Sequence, residues 1–173
     1  MAQNTSQPQK ETTPNLPEAP LHSVYTSGLP ELFAQLNISL VVSTYQAGKV
    51  ILVRHDTDAL TNGRGPASTM NTHFRTFHKP MGLAVQDNKL AIGGQKTVWE
   101  MHNMPAVARK LEPPGKHDAC YLPRRIHVTG DIDIHEMAFA GDGELWIVNT
   151  RFGCLCTLDA DHSFYPRWRP PFV

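Results

Sequence analysis

The sequence predicts an all-β chain, a partial β-propeller of about two and a half to three blades behind a disordered N-terminal arm. Three observations carry that expectation. Short apolar runs separated by turns rich in Asn, Asp and Gly recur from residue 40 onward, as in antiparallel hairpins. Two of these segments resemble each other. Met81-Gly82-Leu83-Ala84-Val85 matches Met137-Ala138-Phe139-Ala140-Gly141 at 56 positions, and Leu90-Ala91-Ile92 matches Leu145-Trp146-Ile147 at 55. A sheet unit repeated every ~40–50 residues marks a propeller blade, and insertions lengthen the spacing here. Residues 1–27 are polar, rich in Pro, Gln and Thr, and lack an apolar signal core. They read as the arm, and residues 28–173 as one incomplete propeller domain.

The elements follow in order. LPELFAQLN predicts a short helix with Leu32, Phe33 and Leu36 on one side. SLVVSTYQAGKVILVR predicts a hairpin turning about Gln46-Ala47-Gly48, a partial third copy of the repeat. MGLAVQDNKLAIGGQKTVWEM predicts three strands broken at Asp87-Asn88 and Gly93-Gly94. EMAFAGDGELWIVNTRFGCLCTLDA predicts three more, broken at Gly141-Asp142-Gly143 and near Arg151-Phe152-Gly153. The stretches from Arg54 to Lys79 and from His102 to Gly130 read as insertions with little strand pattern, the second holding a short helix in PAVARKL. PRWRPPFV shows no closing strand. Propellers typically have 4–8 blades, so a chain truncated at its C-terminus is expected, its remaining blades coming from a longer chain or a second copy.

Composition narrows the partners. Sixteen basic and sixteen acidic residues give a formal net charge of zero, so no overall field draws nucleic acid or an anionic membrane. No apolar run approaches the ~20 residues of a membrane-spanning helix. Cys120, Cys154 and Cys156 are too few and too odd in number for a disulfide framework, which favours a reducing, cytoplasmic setting. Cys154-x-Cys156 reads as a pair of buried structural thiols. Trp99, Trp146 and Trp168 read as side chains packed between blades.

Long phrases of the sequence carry a resemblance. GKHDACYLPRRIHVTGDIDIHEMAFAGDGELWIVNTRFGCLCTLDADHSF, PRWRPPF, FHKPMGLAV and LAIGGQKTVWEMHN resemble an uncharacterised bacterial family of conserved hypothetical proteins, a domain of unknown function. The resemblance covers residues 32–173. It implies a six-bladed propeller-like fold about twice this length, with this chain as the N-terminal half. It implies no activity.

The stretch from Thr129 to Phe139, TGDIDIHEMAF, carries the most suggestive chemistry. In a regular strand Asp131, Asp133, His135, Met137 and Phe139 share one face, and Ile132 and Ile134 the other. The repeat places this stretch at the first strand of a blade, which lines a propeller's channel. Asp133 and His135 then stand ~6.5–7 Å apart along the strand and can converge on one divalent metal, with His78 from the preceding blade. Glu136 points away unless a bulge turns it. The plainer reading is that these groups hydrogen-bond neighbouring loops.

His117-Asp118 and the pair Arg124 and Arg125 complete the candidate ligand-binding residues. With Arg109, Lys110, Lys116, Arg75 and Lys79 the arginines form a basic rim suited to carboxylate, sulfate or phosphate. No phosphate loop and no G-x-S-x-G nucleophile motif is present. The leading expectation is a soluble binding module for a small polar ligand or a partner protein. The alternatives are a metal-dependent hydrolase- or lyase-like enzyme using the Asp/His channel mouth, and a purely structural scaffold.

Overall fold

A computed structural model describes residues 23–56 and 69–172. The arm expected at residues 1–27 lies, up to residue 22, outside the described residues. The described chain opens with helix α1 (Leu29–Leu36), which has Pro30 in its first turn and ends on Asn37 in a left-handed conformation (φ 51°). Phe33 is buried, but Leu32 and Leu36 are 46% and 56% exposed, so the expected apolar stripe narrows to one side chain and Pro30.

Among the described residues the chain is all-β, with eleven strands in three antiparallel sheets and two short helices. The first sheet is β1 (Leu40–Thr44), β2 (Lys49–Asp56) and β3 (Thr69–Thr76) in sequence order. The second is β4 (Leu83–Gln86), β5 (Lys89–Gly93), β6 (Thr97–Asn103) and β7 (Tyr121–Val128), with α2 (Pro105–Ala108) in the β6–β7 connection. The third is β8 (Ile134–Phe139), β9 (Leu145–Asn149), β10 (Cys154–Thr157) and β11 (Tyr165–Trp168). The turns fall where the sequence places them. Gly48 and Asp87 take the positive φ (62° and 51°) that tight turns require.

Three differences from the expected elements share a cause. β3 lies inside the stretch read as a first insertion, β7 inside the second, and β11 within YPRW of the segment read as having no closing strand. All three are outer strands, exposed on at least one face, so their sequences lack the apolar run that marks an inner strand. Pro123 and Pro166 sit on strands at a sheet edge, where a missing donor is tolerated.

The sheets stack face to face, and β5 shows how. It is buried almost throughout. Leu90 and Ile92 pack with Val50 of the first sheet. Ala91, with Ala84 and Val98, packs against Ile134, Met137, Ile147 and Cys156 of the third sheet and Ile132 just ahead of it. The second sheet is thus sandwiched between its neighbours, and alternate residues of one strand serve two cores. No helix of the described residues is long and apolar enough to cross a membrane.

Candidate functional site

The Thr129–Phe139 stretch does not form one regular strand. Asp133 adopts a left-handed conformation (φ 53°), and β8 begins after it. Ile134 pairs with Asn149 and Met137 with Ile147, so three steps on β8 oppose two on β9. The extra residue is a β-bulge at His135-Glu136. It turns Met137 to the same side as Ile134. Ile132, Ile134 and Met137 are all buried in one core, with Phe139 packed against it. The expected face of Asp131, Asp133, His135, Met137 and Phe139 is therefore broken into two sets.

The polar groups of this stretch hold the seam between the second and third sheets. Asp131 Oδ2 lies 3.2 Å from Arg151 Nη2 of its own sheet and accepts from Gln95 Nε2 of the neighbouring sheet at 3.4 Å. The Asp133 carbonyl accepts from the Thr150 hydroxyl and backbone N–H. Thr129 is buried, and its N–H donates to the Lys96 carbonyl at 2.9 Å. His78 is exposed, and its carbonyl accepts from the Gln95 N–H. Among the described residues no hydrogen bond or ion pair engages the side chains of His78, His135 or Glu136, and no group of three or more His, Cys, Asp or Glu is arranged to hold a metal ion. Asp133, His135 and His78 are not gathered into such a group.

The cysteines are free thiols. Cys154 and Cys156 are buried in the core between the second and third sheets. Burial pushes the Cys156 thiol up to about 11, reinforced by Cys154 beside it and opposed by the Asn149 amide. Asn149 is itself wholly buried. Its Oδ1 accepts from the Phe152 N–H, while its Nδ2 has no nitrogen or oxygen partner.

A crevice of about 450 Å3 opens where the second and third sheets diverge. Cross-strand pairing builds one wall: Val98 opposite His127, and Glu100 opposite Arg125. Phe139, Leu145 and Leu158 supply an apolar floor from the third sheet. Glu144 and Asp159 stand at the rim.

Each charged group but one is already held. Glu100 lies 2.8 Å from His102 Nε2. Glu144 pairs with Arg167 at 2.6 Å, and that guanidinium lies 5.1 Å over the Trp146 ring. His127 Nε2 lies 3.2 and 3.1 Å from the His162 and Ser163 carbonyls, which can only accept, so Nε2 carries the proton. Asp159 accepts from the backbone N–H groups of Asp161 and His162 and from the His162 ring, and that ring contact holds its carboxyl below the usual value. Among the described residues no hydrogen bond or ion pair engages the Arg125 guanidinium.

Of the candidate ligand-binding residues read from the sequence, Arg125 alone lines this crevice. Arg124 is exposed at a β-bulge, between the pairs Glu100–Arg125 and Met101–Pro123. His117 lines a different cleft, beside β2. Glu100, His127 and Asp159 were missed. The alternation in Arg125-Ile126-His127-Val128 was the available signal, hidden by reading the β6–β7 connection as an insertion.

Comparison with known families settles the membership. The family model described as Domain of unknown function (DUF4915) matches residues 27–173. The chain belongs to this family. Its DUF4915 domain therefore takes in all three sheets, α1 and the crevice. No curated protein matches the chain.

Proposed function

We propose that this chain is a propeller-type binding module, and that the crevice between its second and third sheets takes a small polar ligand carrying a carboxylate or similar anionic group. The observation that carries the reading is the unengaged Arg125 guanidinium above an apolar floor, in a crevice of about 450 Å3. That volume falls in the usual range for small-molecule sites, ~300–1,000 Å3. Arg125 supplies a forked donor for the anionic end. Phe139, Leu145 and Leu158 supply apolar contact, and the rim carboxylates favour hydroxyl or amino groups elsewhere on the ligand.

Two features support blades as the architecture. The second and third sheets are four-stranded meanders of the same strand order, with the first strand of each at the sheet's inner edge. Their registers also match. The cross-strand pairs Ala84–Ala91 and Gly93–Val98 correspond to Ala138–Trp146 and Val148–Leu155. The first set faces the third sheet. The second set forms an apolar face on the third sheet that a further sheet of the same build would cover.

A thermal-shift screen of small carboxylates, amino acids and sugar acids tests the ligand reading, with Arg125→Ala beside the wild-type chain. A shift of several degrees that disappears in Arg125→Ala supports it. A shift of equal size in both proteins, or no shift with any compound, overturns the crevice as the site.

A further inference from the structure

A second cleft, of about 300 Å3, lies beside the far end of β2. Its origin is a mismatch of strand lengths. β1 begins at Leu40, opposite Val53, whereas β2 runs on to Asp56 with β3 alone as its partner. Arg54 and His55 therefore extend past the end of β1. The space beside them is closed by the α1–β1 link at Asn37-Ile38-Ser39 and by Gly115–Asp118 of the β6–β7 connection.

The residues brought together are predominantly basic. Among the described residues, Arg54, His55, Lys116 and His117 line the cleft, against one carboxylate, Asp118. The connection is anchored, because Arg54 Nη1 donates to the Lys116 carbonyl at 3.1 Å and His117 Nε2 lies 3.3 Å from the Glu112 carbonyl. That first bond uses one of the five guanidinium N–H groups and fixes the plane of the others. Asn37 and Ser39 add uncharged donors to the opposite wall.

The surrounding potential agrees. His73 pairs with Leu52 on the same sheet, and its pKa is lowered first by burial and then by Arg75, Arg54 and His117. Arg75 and Arg54 are guanidinium cations on that sheet.

We propose that this cleft binds a small oxyanion, a phosphate, sulfate or carboxylate group, held by Arg54, with Lys116 and the imidazolium form of His117 contributing charge. This site is separate from the Arg125 crevice and stands independently of it. The source of the anion, a free inorganic ion or the terminal group of an organic ligand, is left to the measurement.

Isothermal titration of the whole chain with inorganic phosphate at low ionic strength tests the assignment, with sulfate and acetate as further arms and a phosphate monoester to distinguish a free ion from an organic ligand's end group. One saturable site per chain is expected once Arg125→Gln has removed the crevice's own donor. Arg54→Gln should weaken it at least tenfold, His117→Gln severalfold, and Asp118→Asn should tighten it severalfold. Arg125→Gln should leave it unchanged. If Arg54→Gln does not fold, His117→Gln and Asp118→Asn decide, since neither removes the bond to the Lys116 carbonyl. No saturable binding of any of these anions overturns the proposal. So does affinity unaltered by His117→Gln and Asp118→Asn, or lost in Arg125→Gln.

Discussion

Gly93 is where the stacking of the sheets can be tested with one methyl group. It closes β5, facing the third sheet. A Cβ there would stand 2.7 Å from Ile134 Cγ2 and 3.1 Å from Met137 Sδ. Carbon atoms pack at about 3.5–4.0 Å, so roughly an ångström must be found. Ile134 Cγ2 branches directly from Cβ and cannot move aside without a change of rotamer or a shift of backbone. Overpacking of this kind costs about 1–3 kcal/mol. Replacing glycine in a strand offsets about 0.5–1 kcal/mol of that through the unfolded chain. Gly93→Ala is therefore expected to lose roughly 0.5–2 kcal/mol. Urea unfolding reads this as a midpoint fall of about 0.5 M per kcal/mol, for a slope of ~2 kcal/mol/M. The control is a double-variant cycle. Ile134→Ala alone should cost about 2–5 kcal/mol, since it empties a buried site. Combined with Gly93→Ala, it should cost less than the two singles together, because the truncation makes room for the methyl group. Additive losses, or a Gly93→Ala chain as stable as the wild type, would refute close approach at this seam.

Two further predictions test the polar and thiol groups. Asp131→Asn should cost less than about 1 kcal/mol by urea unfolding, because its partner Arg151 is half exposed and exposed pairs contribute little; a loss several times larger would point to a role beyond the hydrogen bonds at this seam. Cys156 gives the chain an alkaline limit: its folded value of about 11 lies above the ordinary 9.0, so the folded state favours the neutral thiol. Its contribution is intact below pH 9 and declines between pH 9 and about 11, as the unfolded thiol ionises first. Cys156→Ala should flatten the stability profile over that window, and thiol labelling at neutral pH should modify half-buried Cys120 well before Cys154 and Cys156.

What the sequence disclosed depended on burial. Inner strands such as Leu90-Ala91-Ile92 and Leu145-Trp146-Ile147 were legible because apolar runs and Asn, Asp or Gly turns report directly on hairpins. Outer strands were not. Tyr121–Val128, exposed at every residue but Tyr121 and His127 and with arginines in its middle, has the composition of a loop. Missing β7 hid the crevice, whose wall is its pairing with β6. The Thr129–Phe139 stretch failed for another reason. Period-two reasoning assumes an unbroken pleat, and a one-residue bulge reverses every face beyond it. The buried trio Ile132, Ile134 and Met137 keeps apolar side chains together only with that bulge in place. The bulge also bears on the phrases matched at Met81 and Met137, which lie 56 positions apart. The cross-strand pairs Leu83–Ile92 and Met137–Ile147 lie 54 positions apart on the first strand and 55 on the second.

The tight seam and the open crevice follow from one gradient in side-chain size. Where β4 and β5 meet β8, the second sheet offers Gly82 and Gly93, so close to Ile134 and Met137 that neither has room for a Cβ. Moving outward across β6 and β7, the facing residues become Val98, then Glu100, Arg125 and His127. Charged side chains cannot be buried there without partners, so the sheets cannot close over them. They diverge, and the gap acquires an apolar floor and a charged rim. A ligand bound there, as proposed, would touch both sheets. A residue that spreads the inner seam should therefore disturb the outer crevice without lining it. Gly93→Ala then weakens a ligand that bridges the two walls, whereas a ligand held by the second sheet alone binds the variant as it binds the wild type.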